Sequence, residues 1–323
     1  MGNTLKGKVA VVAGSGQGIG RAIAVGMAQE GAKVVTNNRC PGSTGHALLD
    51  DSVLNSMSPE QREWLQEQAE ESTGDAETTA EAIRDIGGEA VPFFGDISSF
   101  EIAGKLIQTA VDSFGKIDIL VNVAGTFGFS ALWEMTEELW DRVTLTKPKG
   151  YFNCIRHAAP PMMEQGWGRI LNCTSPAFLG GILKQVQYSA ANAGVVGLTR
   201  AVAKELYKYG ITCNAFAPHA RTRASFELEA YDKAVTEAES PWLDRKYAFP
   251  VEDTPSADDL APFVVYLASD EAAEINGKVF SVGGSSIGVY SEPEISRILI
   301  KCGGRWTMNE IRQQVPRGLL ANE

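Results

Sequence analysis

The sequence has no apolar run near the roughly 18 residues that begin to suggest a membrane span. Its opening, MGNTLKGKVAVV, has no apolar stretch running into a small-residue cleavage site, so no secretory signal is expected. Lys6 stands where a myristoylation signal after Gly2 needs Ser or Thr, and Ala321-Asn322-Glu323 is no peroxisomal address. Cysteine is scarce: five in 323 residues (Cys40, Cys154, Cys173, Cys213, Cys302), odd in number, with no C-x-x-C pair. That pattern supports neither a disulfide framework nor a zinc site, and no metal is expected. Three of the five sit in apolar runs, the setting of buried reduced thiols, which fits a reducing cytoplasm. Positive charge is also short, with 29 Lys and Arg against 40 Asp and Glu and a formal net charge of −11. A chain this acidic is poorly suited to bind nucleic acid or an anionic membrane through its net charge. Internal repeats and low-complexity tracts are absent.

What is present suits a globular protein with a sizeable core: 44% apolar and 21% charged residues. Apolar, β-rich runs at Lys8–Ala13, Lys33–Asn37, Ala90–Phe94, Ile117–Asn122, Arg169–Cys173, Ile211–Phe216 and Lys278–Val282 alternate with helical patterns. The helical patterns include Gly18–Glu30, Thr136–Glu164 and Tyr188–Tyr209. Strands that are continuously apolar and spaced by helices argue for a doubly wound parallel sheet covered on both faces, a three-layer α/β/α single domain. Three segments exceed that unit. A polar insertion spans 40–74, in which Ser58-Pro59-Glu60-Gln61 forms a capping box opening a helix over Pro59–Glu71. A polar and aromatic stretch at 219–257 is a candidate substrate lid. The core domain then spans 1–284 and a C-terminal extension 285–323, where Thr307-Met308-Asn309-Glu310 opens a short helix before Pro316.

The first strand runs into Gly14-Ser15-Gly16-Gln17-Gly18-Ile19-Gly20 and then a helix. Glycines there permit a tight turn and let backbone N–H groups approach a pyrophosphate at the helix N-terminus. The second strand ends Asn37-Asn38-Arg39, with no acid to accept from a ribose 2′-hydroxyl. Arg39 either pairs with a 2′-phosphate or points into solvent. The first reading makes the cofactor NADP, with NAD the alternative.

Taken together, Gly14-x-x-x-Gly18-Ile19-Gly20, Asp96 after Phe94-Gly95, Asn122-Val123-Ala124-Gly125, Ser175 and Tyr188 thirteen residues later resemble the short-chain dehydrogenase/reductases. Asn214-Ala215-Phe216-Ala217-Pro218 and Asn276-Gly277-Lys278-Val279 resemble them too, so the likeness covers about Leu5 to Gly284. The helix at Tyr188–Asn192 and the stretch Cys213–Arg223 look most like the (3R)-hydroxyacyl-CoA dehydrogenase domain of multifunctional β-oxidation enzymes. The resemblance implies a Rossmann-type seven-stranded sheet and hydride transfer between NAD(P) and a carbonyl or alcohol. It implies that Asp96, with Ile97, meets adenine, and that Asn122, Ala124 and Gly125 pack beside the adenine ribose. Thr222, with Pro218, would approach the nicotinamide carboxamide, although His219 stands where many members have Gly.

Hydride transfer ends on or starts from an alkoxide, so an acid/base must sit on that oxygen. Tyr188 is the candidate, with Ser175 holding the substrate oxygen. A free phenol ionises too high for this work near neutral pH. One cation at about 4 Å in an effective dielectric near 20 supplies roughly the 4 kcal/mol needed. The family places that cation, a Lys, four residues after the Tyr, where this chain has Asn192. The family also carries an Asn three residues before a Gly that aligns with Gly150, where this chain has Lys147. The two residue types look exchanged. Pro148 either aims Lys147 inward, to replace the missing charge, or tips it into solvent.

The leading expectation is an NADP(H)-dependent oxidoreductase of a small-molecule secondary alcohol or ketone. A lyase or isomerase on the same fold and a non-catalytic nucleotide-binding paralogue are the alternatives that Asn192 leaves open. Phe226, Tyr231, Trp242, Tyr247 and Phe249 either line an apolar pocket or pack the lid down. Small or apolar residues on the two long helical patterns (Ala158, Ala159, Ala190, Ala193, Val195, Val196, Ala201) exceed what one sheet face absorbs, and a homodimer or homotetramer is expected.

Overall fold

The structure, a computed structural model, describes residues 2–42, 57–71, 73–180, 184–225 and 255–320. They fall into two compact units, Met1–Val289 and Tyr290–Glu323. In the first, the seven apolar runs become β1 (Val9–Ala13), β2 (Lys33–Asn38), β3 (Ala90–Phe94), β4 (Ile119–Asn122), β5 (Gly168–Cys173), β6 (Ile211–Pro218) and β7 (Val279–Gly283), and a further strand, β8 (Ser286–Val289), follows. They form one sheet in the order β3-β2-β1-β4-β5-β6-β7-β8, parallel except for the β7–β8 pair. The eighth strand corrects the expected count of seven. Gly284, at φ +52, turns the chain back so that Ser286–Val289 pairs antiparallel with β7.

Helices cover both faces. On one, Ile23 and Met27 of α1 (Gly18–Gln29) and Ile83 of α3 (Ala76–Asp85) pack on Ala10, Val12 and Val34. Val264 of α8 (Ala261–Leu267) joins them, and α2 (Pro59–Glu71) occupies the insertion at its expected bounds. On the other, Leu106 of α4 (Phe100–Phe114), Tyr151 and Met162 of α6 (Gly150–Gln165) and Val195 of α7 (Val186–Leu206) pack on Val9, Val11 and Leu120. Alternate residues of β1 thus feed opposite cores, which is why its run VAVVA is apolar throughout. Helix ends follow local chemistry: Asp75 caps α3 in a reciprocal box with Thr78, Ser99 caps α4, and Gly115 closes α4 in the left-handed region at φ +83.

The pattern at 136–164 is not one helix. α5 (Glu137–Thr144) gives way to a π-type stretch over Leu145–Lys149, in which the Gly150 N–H bonds back to the Leu145 carbonyl. Pro148 has no N–H to give to the ladder, and the wider turn absorbs it. Of the small residues singled out above, Ala158, Val195 and Val196 are buried, whereas Ala190, Ala193 and Ala201 are exposed. In the second unit α9 (Met308–Gly318) opens with the expected Thr307–Glu310 capping box. It runs through Pro316 rather than stopping before it, since a proline in the last turn removes only one ladder bond.

Candidate active site

Between β1 and β4 the strand order reverses, and a cleft of about 950 Å³ opens above the carboxyl ends of the strands there. Gly14, Gln17, Gly18, Ile19 and Gly20 line it after β1, Asn38 and Arg39 after β2, Asp96 and Ile97 after β3, and Ala124 and Gly125 after β4, with Thr222 opposite. The glycines are required in different ways. A Cβ at Gly14 would overlap the Ala124 backbone, and one at Gly20 would overlap the Gly14 carbonyl. Gly18, at φ +52, has only the Thr222 side chain in reach, at 3.5 Å, so its backbone faces the opening. A glycine turn bared to a cleft at a helix N-terminus fits the diphosphate of a dinucleotide.

Three predicted cofactor residues do not line this cleft. Ser15 is fully buried: its Oγ donates to the Val12 carbonyl at 2.8 Å and accepts from Asn37 N at 2.9 Å. Asn122 is buried and donates through Nδ2 to Asn172 Oδ1 at 2.9 Å, and Pro218 ends β6. Asn38 does line the cleft, yet its amide is engaged elsewhere. Oδ1 accepts from Ala76 N at 2.9 Å and Nδ2 donates to the Cys40 carbonyl at 3.1 Å. Around it Thr36 Oγ1 donates to the Ala76 carbonyl (2.7 Å), Thr79 Oγ1 to the Ser15 carbonyl (2.9 Å) and Gly42 N to Asp75 Oδ2 (2.9 Å). The start of α3 is thereby tied to both β2 and the glycine turn.

The exchanged pair meets. Lys147 is 3% exposed, and its Nζ donates to the Cys173 carbonyl at 2.8 Å and to Asn192 Oδ1 at 3.0 Å. The ammonium lies 5.9 Å from the centre of the Tyr188 ring and 5.6 Å from that of Tyr151. Asn192 Nδ2 donates to the Tyr188 carbonyl at 2.8 Å, so this amide brackets the lysine with one end and the tyrosine's own backbone with the other. Gly125 makes room for the lysine, while a Cβ on Gly194 would stand at ordinary contact distance from Pro148. A Cβ on Gly125 would come within 2.8 Å of Lys147 Cε, and one on Gly194 within 3.4 Å of Pro148. Phe127 lines the cleft and meets the Tyr188 ring at 5.7 Å. Ser175 caps the turn at Pro176–Leu179 through Ala177 N at 3.3 Å and makes no hydrogen bond to Tyr188.

Sequence reasoning missed Tyr151. Its hydroxyl reaches the Ala124 carbonyl at 3.0 Å and the Cys173 carbonyl at 3.2 Å. Burial pushes its phenol well above the ordinary range, so it stays a neutral donor. Burial also pushes the Cys173 thiol up, with Lys147 pulling the other way, and pushes the His219 imidazole down. The spacing from Lys147 to Tyr151, one helical turn, was the available signal. Arg21, Thr78 and Arg142 also line the cleft and carried no motif. The lid aromatics Phe226 to Phe249 lie outside the described residues.

A glycine turn at the switch point, a serine past β5 and a tyrosine on the next helix define a Rossmann-type oxidoreductase fold. The profile of the short chain dehydrogenase family matches residues 67–227, and the chain belongs to the short-chain dehydrogenase/reductase family. It is 32% identical to a hydroxyacyl-CoA dehydrogenase of Mycobacterium tuberculosis over 95% of this chain and 87% of that protein. It is 33% identical to a 3-oxoacyl-[acyl-carrier-protein] reductase of Synechocystis sp. over 88% of this chain and 98% of that one. The crystal structure of a short chain dehydrogenase from Mycobacterium avium superposes with a TM-score of 0.75 at 33% identity, covering 98% of this chain and 96% of that one.

Proposed function

We propose that the protein interconverts a secondary alcohol and a ketone with NADP(H), using Tyr188 as the acid/base and Lys147 as the cation that supports it. The observation that carries the reading is the buried Lys147 ammonium, bracketed by Asn192 and facing the Tyr188 ring at 5.9 Å. When bound, the nicotinamide ring supplies or accepts the hydride. In the reductive direction the Tyr188 hydroxyl gives its proton to the oxygen that gains charge, and Lys147 stabilises the tyrosinate left behind. Solvent then returns a proton to Tyr188. Ser175, half-buried past β5, orients the substrate oxygen by a hydrogen bond. Gly14 to Gly20 cradle the diphosphate, and Asp96, Ile97 and Ala124 flank the adenosine. Arg39 supports the choice of NADP because no carboxylate at the end of β2 opposes a 2′-phosphate. Hydroxyacyl and oxoacyl thioesters, named in the two relatives, are the substrate class we favour. The exposed alanines of α7 are the face we assign to a second copy of the chain.

The test is the absorbance of the nicotinamide band with 3-oxoacyl thioesters as substrates. Stoichiometric oxidation of NADPH that vanishes in Tyr188→Phe supports the reading. Proton exchange into the substrate without cofactor oxidation replaces it with a lyase or isomerase. Titrating NADP(H) and NAD(H) against wild type and Arg39→Ala decides the cofactor, and tighter NAD(H) binding by wild type reverses the assignment.

A further inference from the structure

That mechanism leaves several charged side chains of the cleft without a task, Arg142 among them. Arg142, in the last turn of α5, lines the opening together with Thr126, Phe127 and Thr146. Gly128 makes room for it: a Cβ there would stand 3.3 Å from Arg142 Nη2 and 2.9 Å from Leu139 Cδ1. The guanidinium therefore lies over the backbone at Gly128. That backbone is held in place by Gln187 Nε2, which donates to the Gly128 carbonyl at 2.7 Å, and by the contact of Phe127 with Tyr188. A positive charge thus sits on the wall of the cleft next to Phe127, whose ring meets that of Tyr188.

Among the described residues no group answers this charge. Arg142 Nε is closed off from solvent without a hydrogen-bond partner. Among the described residues no carboxylate forms an ion pair with Arg142. The acids lining the cleft are Asp96 and Asp258, and Asp96 accepts from Ser98 N at 2.9 Å. A partly desolvated, unpaired guanidinium is costly to the folded protein. An arriving oxyanion offsets that cost, and the planar fork of arginine matches a carboxylate or phosphate.

We infer that Arg142 binds an oxyanion carried by the substrate, so that the enzyme selects anionic ketones and alcohols over neutral ones of the same skeleton. The inference rests on the proposed Tyr188 chemistry only in assigning the anion to the substrate. The carboxylate of a 3-oxo acid and a phosphate of a CoA thioester offer the same chemistry to this group.

The probes are acetoacetate with its methyl ester, and acetoacetyl-CoA with the phosphate-free N-acetylcysteamine thioester. The dissociation constant of each is measured by calorimetry on full-length protein saturated with oxidised cofactor, for wild type, Arg142→Lys and Arg142→Gln. Wild type is expected to bind one anionic probe at least tenfold more tightly than its neutral counterpart. Arg142→Gln loses that tenfold, about 1.4 kcal/mol, with the neutral probe unchanged, and Arg142→Lys keeps part of it. Whichever pair shows the effect identifies the source of the oxyanion. The inference is overturned if wild type shows no preference, or if Arg142→Gln weakens both members of a pair alike. It is equally overturned if Arg142→Gln weakens only the cofactor. Turnover surviving in Tyr188→Phe removes the acid/base reading while these binding constants still decide Arg142.

Discussion

Replacing Lys147 with Met tests whether the cation beside Tyr188 now comes from the other helix. Met keeps an unbranched stem in a site that is 3% exposed and removes the charge. Two acceptors lose a donor, but the Cys173 carbonyl keeps the Tyr151 hydroxyl at 3.2 Å, so only Asn192 Oδ1 is stranded. That loss costs about 1–2 kcal/mol and is offset by no longer burying an ammonium, so stability changes little. Catalysis changes a great deal. A charge 5.9 Å from the ring, in an effective dielectric near 20, stabilises the tyrosinate by about 2.8 kcal/mol. At about 1.36 kcal/mol per decade the rate should fall roughly a hundredfold near neutral pH. Lys147→Arg, with its charge retained, should keep more activity than Lys147→Met. The assay is NADPH oxidation at saturating cofactor, alongside a denaturation curve and a cofactor dissociation constant. Activity of Lys147→Met within threefold of wild type, in protein that is folded and binds cofactor, refutes the reasoning.

Asn192→Lys alone should place two ammonium groups in one pocket and lower both stability and activity, and adding Lys147→Asn should recover part of each; a fully active single variant contradicts this. Gly125→Ala drives a Cβ to within 2.8 Å of Lys147 Cε, so we expect at least a tenfold loss of rate with a stability cost of about 1–2 kcal/mol by urea unfolding. Tyr151→Phe removes the donor to the Ala124 and Cys173 carbonyls and should cost about 1–2 kcal/mol in the same assay. In the C-terminal unit, Lys301 and the Thr307 cap hold the Glu310 carboxyl down at about 2. A depressed carboxyl stabilises above its ordinary value of 4.5 and stops doing so as the pH falls toward 2. Helix α9 should fray across that window by NMR, and Glu310→Gln should fray at neutral pH.

Strand positions were legible because a parallel sheet covered on both faces demands unbroken apolar runs, and β3 fell at its expected limits, Ala90–Phe94. The glycine turn was legible because its chemistry is local. Where contacts bridge distant segments, the sequence was silent. Nothing in Asn37-Asn38-Arg39 announces that the Asn38 amide is taken by Ala76 and Cys40, since that depends on where the insertion returns. The direction of Lys147 was equally open. A regular helix and a π-type stretch share the same apolar pattern over 136–164, and the register decides which side chains turn inward. Ser286–Val289 escaped notice because a four-residue, exposed edge strand needs no apolar run.

The ties around Asn38 also say something about how the chain tolerates its insertion. The two ends of the extra segment are fastened to each other before it begins, through Asn38 to Cys40 and Ala76 and through Gly42 to Asp75. Residues 38 and 42 on one side and 75 and 76 on the other therefore form the stem of a loop. For such a loop, the entropy of joining the ends grows only as the logarithm of its length, about 0.6 kcal/mol for each doubling. Cutting it to a quarter of its length changes that term by about 1.2 kcal/mol. A part of the chain this cheap to lengthen or shorten is free to acquire its own sequence, including helix α2, while its last residues, Thr73 and Gly74, stay at the cleft, where a Cβ on Gly74 would come within 2.6 Å of the Gly16 carbonyl.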